Sequence, residues 1–242
     1  MVGSGVVRGC RDRFHGMPGR LARELSGTVG WGIRLGCVKR CETRDDSGPG
    51  IRLQMSLYRT FVGLKVPVTP ELAEVLEWLG RLGPAVRPVR AECLHLTLKF
   101  LGETPVGQVR NIVTTLTEVV SGCGAFDLGF RGVGLMPSHR PRVVFADLDD
   151  PLHDARGVGG PAAAIEDSME GLGFARESRP YRPHLTLARV RGRPPVELDE
   201  LVEAFDEVRL SELTCTEFEL IRSELGPGGP RYTTLARLPL SG

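Results

Sequence analysis

His95-Leu96-Thr97-Leu98 recurs letter for letter as His184-Leu185-Thr186-Leu187 in a chain that holds only five histidines. Each copy falls in a stretch whose composition predicts a β-strand, Leu94–Leu101 for the first and His184–Val190 for the second. Side chains alternate between the faces of a strand. His95 and Thr97 therefore share one face, His184 and Thr186 share another, and the leucines point the opposite way into a core. A repeat at half-chain spacing predicts two similar lobes whose polar faces look at each other.

Outward from the repeat, strands and helices alternate. Leu57–Leu64 mixes aromatic and β-branched residues and predicts a strand. Thr69-Pro70-Glu71 then reads as a helix start, with Thr69 as N-cap and Pro70 at the first helical position. Leu72, Val75, Leu76 and Leu79 supply that helix with an apolar face. A second helix is predicted over Val106–Val120, and strands over Phe126–Leu135 and Arg142–Leu148. Helices over Ala162–Leu172 and Leu198–Phe205 follow on either side of the second motif. The chain closes with strands over Leu213–Ser223 and Tyr232–Leu238, joined through Gly226-Pro227-Gly228-Gly229. A hairpin between the last strands favours an α+β fold with antiparallel sheets over a doubly wound parallel one. The expected architecture is bilobal and pseudo-twofold, with two mainly antiparallel sheets facing a central cleft and the helices outside.

Composition narrows the function classes. Hydrophobic residues at 41% and charged residues at 25% are ordinary for a globular domain. No apolar run is long enough to span a membrane, so no membrane partner is expected. The net charge of +1 does not by itself point to a nucleic acid or membrane surface. The charge is uneven, however: residues 1–54 carry 10 Lys+Arg against 5 Asp+Glu, are rich in glycine and lack a sustained period. They read as a disordered extension before a folded domain over 55–242, with Met55 a candidate initiator. Cys37 and Cys41 make a lone C-x3-C, and the six cysteines as a set read as reduced thiols of a cytoplasmic protein. A monomer is expected.

Two imidazoles and two hydroxyls converging on a cleft offer a general base, a general acid and two hydrogen-bond donors. Imidazole titrates near neutrality, so one ring can start neutral and the other protonated. That pair suits in-line displacement at phosphorus, in which water loses a proton on one side and a departing alkoxide gains one on the other. Thr97 and Thr186 can donate to the non-bridging oxygens. Arg189 can add a bidentate phosphate contact. By strict alternation it lies on the wrong face, since 184, 186 and 188 share a side, and it reaches the cleft only if the strand bends or ends there. No metal or other cofactor is expected, because no carboxylates cluster near either motif.

The repeated His-x-Thr-x pattern resembles the 2H phosphoesterase superfamily. Its flanks are similar to the RNA 2′,3′-cyclic phosphodiesterase branch, also called the 2′-5′ RNA ligase family. The stretches that carry the resemblance are HLTLKFLGE (95–103), RVVFADL (142–148) and RPYRPHLTLAR (179–189), with RTFVGLKVP and YTTLARLPL in support. The resemblance covers about Leu57 to Leu240. It implies a bilobal fold and hydrolysis of an RNA terminal 2′,3′-cyclic phosphate to a 2′-phosphate. It further implies His95 as the acid, His184 as the base, and Thr97 and Thr186 as phosphate holders. Arg87-Pro88 and Cys93 depart from the family, whose members often carry an aromatic and an Asn there.

Other residues carry weaker signals. His139, in Pro137-Ser138-His139-Arg140-Pro141, reads as a solvated loop histidine, and His15 and His153 have no supporting context. Tyr181 suits either base stacking or packing. Arg191 and Arg193 suit either RNA phosphates or a solvated face. Three alternatives stay open: ligation through a 2′-5′ bond, a non-catalytic module binding RNA ends, and a metal-dependent hydrolase using both histidines as ligands.

Overall fold

The computed structural model describes residues 56–149, 159–227 and 229–241. The expectations for residues 1–54, including His15, Cys10, Cys37 and Cys41, and for His153 lie outside the described residues. In chain order the elements are β1 (Leu57–Lys65), α1 (Pro70–Arg81), β2 (Val86–Pro88), β3 (His95–Pro105), α2 (Val109–Val120), β4 (Phe126–Met136) and β5 (Val143–Leu148). They continue with α3 (Gly159–Gly171), β6 (Leu185–Val190), α4 (Glu197–Phe205), β7 (Arg209–Cys215), β8 (Glu217–Gly226) and β9 (Gly229–Pro239).

Local chemistry accounts for the helices. Thr69 caps α1, its hydroxyl accepting from the Leu72 amide at 3.2 Å, with Pro70 at the first helical position. Leu72, Val75 and Leu79 are fully buried beneath it. Residues 106–120 divide into a 3-10 turn and the α2 helix, which buries Ile112, Leu116 and Val120. Burying a leucine of this kind contributes about 1.5–3 kcal/mol.

The nine strands of the described residues join one antiparallel sheet along the path β7-β4-β5-β6-β3-β1-β8-β9, with β2 added to the edge of β6. The path has a centre. Between β6 and β3 there is a single residue pair, Leu96 opposite Leu185. Four strands lie on each side of it, so the two motif strands stand back to back at the middle of the sheet. The lobes are not the two halves of the chain. One is built from β1, β3, β8 and β9, and thus from both ends of the described fold, while the other holds β4, β5, β6 and β7. Helices α2 and α3 pack with the first lobe, and α1 and α4 with the second.

Two expectations need correction. The single strand over Leu213–Ser223 is two strands: β7 ends at Cys215 and pairs with β4, while β8 starts at Glu217 and pairs with β1. The chain changes lobe at Thr216, whose carbonyl accepts from the Leu240 amide at 2.9 Å. An unbroken run of strand-forming residues carries no mark of a change of partner. The short strand β2 was also missed. It takes over the edge of β6 at Ala188–Val190, beyond the point where β3 begins. No helix of the described residues is long and apolar enough to cross a membrane.

Candidate active site

Antiparallel pairing at Leu96–Leu185 sets the site. It sets His95 beside Thr186 and Thr97 beside His184, so the two motifs meet head to tail on one face. Leu96, Leu98, Leu185 and Leu187 are buried on the other face, as alternation predicts. His184 precedes the first residue of β6 by one position.

The alternation then breaks at the same place in both motifs. Against β1, Lys99 opposes Val62 and Thr97 opposes Gly63, which leaves Leu98 unpaired. Against β5, Ala188 opposes Val144 and Thr186 opposes Phe145, which leaves Leu187 unpaired. These are β-bulges, and a bulge shifts the facing of every residue beyond it. Leu98 and Lys99 are consequently both buried, as are Leu187 and Ala188, and Phe100 and Arg189 emerge on the exposed side. The bulge is the bend that Arg189 needs to share the face of His184 and Thr186. Phe100, at 54% exposure, is its counterpart in the first motif and was missed in the sequence, because strict alternation buries it.

Each histidine is held differently. The His184 Nδ1 lies 2.9 Å from the Arg182 carbonyl, an acceptor, so Nδ1 carries the proton and the neutral ring keeps its Nε2 lone pair. Its ring meets Phe145 edge-on at 5.8 Å, and Arg182 lies over the same phenyl at 5.5 Å while pairing with Asp147 at 3.4 Å. His95 is more enclosed, between the rings of Tyr232 at 5.3 Å and Phe61 at 6.1 Å. The Cys93 carbonyl acts on this ring electrostatically, but without the alignment of a hydrogen bond: Nδ1 is buried and has no such partner among the described residues. Burial lowers the His95 pKa, the Cys93 carbonyl and Glu219 raise it, Lys65 lowers it, and burial prevails.

Arg189 is open to solvent yet crowded by protein, and that desolvation lowers its pKa while the Tyr232 phenol pulls it back up. A guanidinium stays charged through any such shift. Directly opposite it on β2 stands Arg87, so two guanidiniums occupy one register position at the rim of the site. Tyr181 donates its hydroxyl to the Thr97 carbonyl at 3.1 Å, which ties the segment before the second motif to the first motif strand. His139, Arg191 and Arg193 are exposed, and Cys93 is buried. Among the described residues no group of three or more His, Cys, Asp or Glu side chains is placed to hold a metal ion.

One antiparallel sheet with both His-x-Thr motifs at its centre fits the 2H phosphoesterase resemblance of the sequence. Comparison with known proteins agrees. The family model for LigT-like phosphoesterases matches residues 62–145 and 158–232. The chain belongs to that family. It is 32% identical over 178 residues to a Methanothermobacter thermautotrophicus protein named RNA 2′,3′-cyclic phosphodiesterase, covering 72% of this chain and 93% of the relative. An Archaeoglobus fulgidus protein of the same name is 31% identical over 73% of this chain and 97% of its own. Among solved structures, LigT of E. coli complexed with 3′-AMP superposes with a TM-score of 0.60 at 26% identity, over 77% of this chain and all of that one.

Proposed function

We propose that this chain hydrolyses the 2′,3′-cyclic phosphate at the end of an RNA to a 2′-phosphate, without a metal ion. The observation that carries the reading is the head-to-tail meeting of the two His-x-Thr motifs across Leu96–Leu185. The names of the relatives above support the choice of a cyclic phosphate on RNA.

Fixed by its Nδ1–H bond to the Arg182 carbonyl, His184 offers Nε2 to a water molecule and takes its proton. The water oxygen forms a bond to phosphorus in line with the bond to O3′, which breaks. His95, protonated at the start, gives its proton to O3′ as it leaves. The product is a 2′-phosphomonoester and a free 3′-hydroxyl, and solvent exchange resets both rings. Thr97 and Thr186 donate to the non-bridging oxygens, where charge gathers. Arg189 and Arg87 face the anion from the rim. Like charges directly opposed across a ladder repel unless an anion lies between them, which suits an RNA backbone. Both motifs belong to one chain, so a monomer is the working unit, and the free buried thiols Cys93 and Cys215 suit the cytoplasm.

The test is a short RNA ending in 2′,3′-cyclic phosphate, incubated with and without EDTA, with the product isomers resolved. A 2′-phosphate formed regardless of EDTA is expected, and His95→Ala and His184→Ala should each lower the rate by about 10²–10⁴. A 3′-phosphate product overturns the stated polarity, loss of turnover with EDTA overturns the metal-free chemistry, and near-normal turnover by either variant overturns the two-histidine mechanism.

A further inference from the structure

Glu219 is a buried carboxylate that no motif and no step above uses. It lies on β8, two strands away from His95, yet its Oε2 comes within 3.9 Å of the His95 Nε2, the two side chains being only 8% and 6% exposed. The register explains the reach. Gly63 of β1 stands opposite Thr97 on one side and Glu219 on the other, while His95 stands opposite Lys65, so the glutamate reaches the imidazole diagonally across β1. Thr234 donates to the same carboxylate at 3.3 Å, and Arg237 stands 3.7 Å from its other oxygen. The side chain is thus anchored from β9 and aimed at the imidazole.

We infer that Glu219 is a positioning residue that offsets part of the burial of His95 and so raises the share of the ring that carries the proton it gives as the acid. The inference rests on the function proposed above. At 3.9 Å the carboxylate attracts an imidazolium without forming a hydrogen bond. The Nε2 proton is held on the ring but left free to pass to the departing oxygen. His184 has a different arrangement, a carbonyl bond at Nδ1 that fixes its tautomer and leaves Nε2 outward, with no carboxylate paired to it among the described residues. The asymmetry between otherwise matching motifs favours His95 as the acid.

The groups that face His95 are Glu219 from β8, Lys65 from β1, Tyr232 from β9 and the Cys93 carbonyl from the turn before β3, with Arg237 of β9 behind the glutamate. Lys65 opposes the glutamate, which permits a two-sided test. An acid must hold its proton, so the rate falls as pH rises through the His95 pKa. Glu219→Gln keeps the shape and an acceptor for Thr234 but removes the charge. It should move the alkaline limb of the bell-shaped kcat/KM profile down by about one pH unit, the smaller end of what an adjacent opposite charge does, with the acid limb unmoved. Lys65→Met should move the same limb up. In both variants the His95 Cε1–H resonance, followed by NMR titration, should shift in parallel.

An unmoved limb in Glu219→Gln, or a uniform loss of rate at every pH with no movement of the limb, overturns the inference. A shifted NMR titration with an unshifted limb also overturns it, since His95 then does not act as the acid. The NMR arm needs no turnover. If the protein does not act on cyclic phosphate at all, that arm still reads whether Glu219 holds the proton, and an unshifted resonance overturns the inference apart from the function.

Discussion

Lys99 offers a decisive test of how the first motif is built. The bulge at Leu98 turns this lysine inward, where its side chain is fully buried. The ammonium donates to Glu166 of α3 at 2.8 Å and to the Ala175 carbonyl at 3.0 Å. Glu166 also accepts the Glu177 amide at 2.7 Å, so the pair fastens strand, helix and the segment leading to the second motif. Lys99→Met keeps the volume of the stem and removes the charge, stranding the carboxylate. Removing one partner of a buried pair costs about 3–5 kcal/mol. Glu166 retains 16% exposure and one amide donor, which lowers the expected cost to about 2–4 kcal/mol. For a body of this size each kcal/mol moves Tm by about 2–4 °C, so Tm should fall by about 5–15 °C in a thermal melt followed by circular dichroism. Replacing the pair by apolar residues, Lys99→Met with Glu166→Leu, should recover most of the loss. A single variant that melts within about 2 °C of the parent, or a double variant no better than the single, would refute the argument that a bulge forces a charge inward and α3 answers it.

Three further outcomes follow from the same geometry. Gly63→Ala places a Cβ 2.6 Å from the Leu96 carbonyl oxygen, so β1 must part from β3 beside the central pair, and a lower Tm with loss of turnover is expected. If Arg87 and Arg189 grip the RNA backbone, Arg87→Gln and Arg189→Gln should raise KM for an oligonucleotide and flatten its salt dependence, which steady-state kinetics at two ionic strengths will read. Chain beginning at Met55 should retain its fold and turnover if residues 1–54 lie outside the working domain, and loss of either, judged by melting and by the cyclic phosphate assay, would count against that reading.

Much of this protein is legible in order of residues alone, where the deciding interactions are local. Thr69 caps α1 because its hydroxyl meets an amide three residues on, and the apolar spacing of α1 and α2 marks their buried faces. The strand at 213–223 failed for the opposite reason. Its residues all favour extended chain, and the change of partner at Thr216 depends on β4 and β1, which are distant in sequence. The short strand β2 failed likewise, since β6 supplies its ladder.

At the candidate site the division is the same. Which groups the proposed chemistry draws on is read from the sequence: two His-x-Thr repeats on strands, with their leucines turned into the core. That follows from the two-residue period of a strand, which needs no partner to be known. Which residues join them was decided by tertiary structure. The paired bulges at Leu98 and Leu187 bring Phe100 and Arg189 to the open face and drive Lys99 inside. Glu219 reaches His95 only because β8 lies beside β1, which itself pairs with β3. A bulge is a mismatch between two strands and a buried ion contact is a meeting of two elements, so neither exists until the sheet has closed.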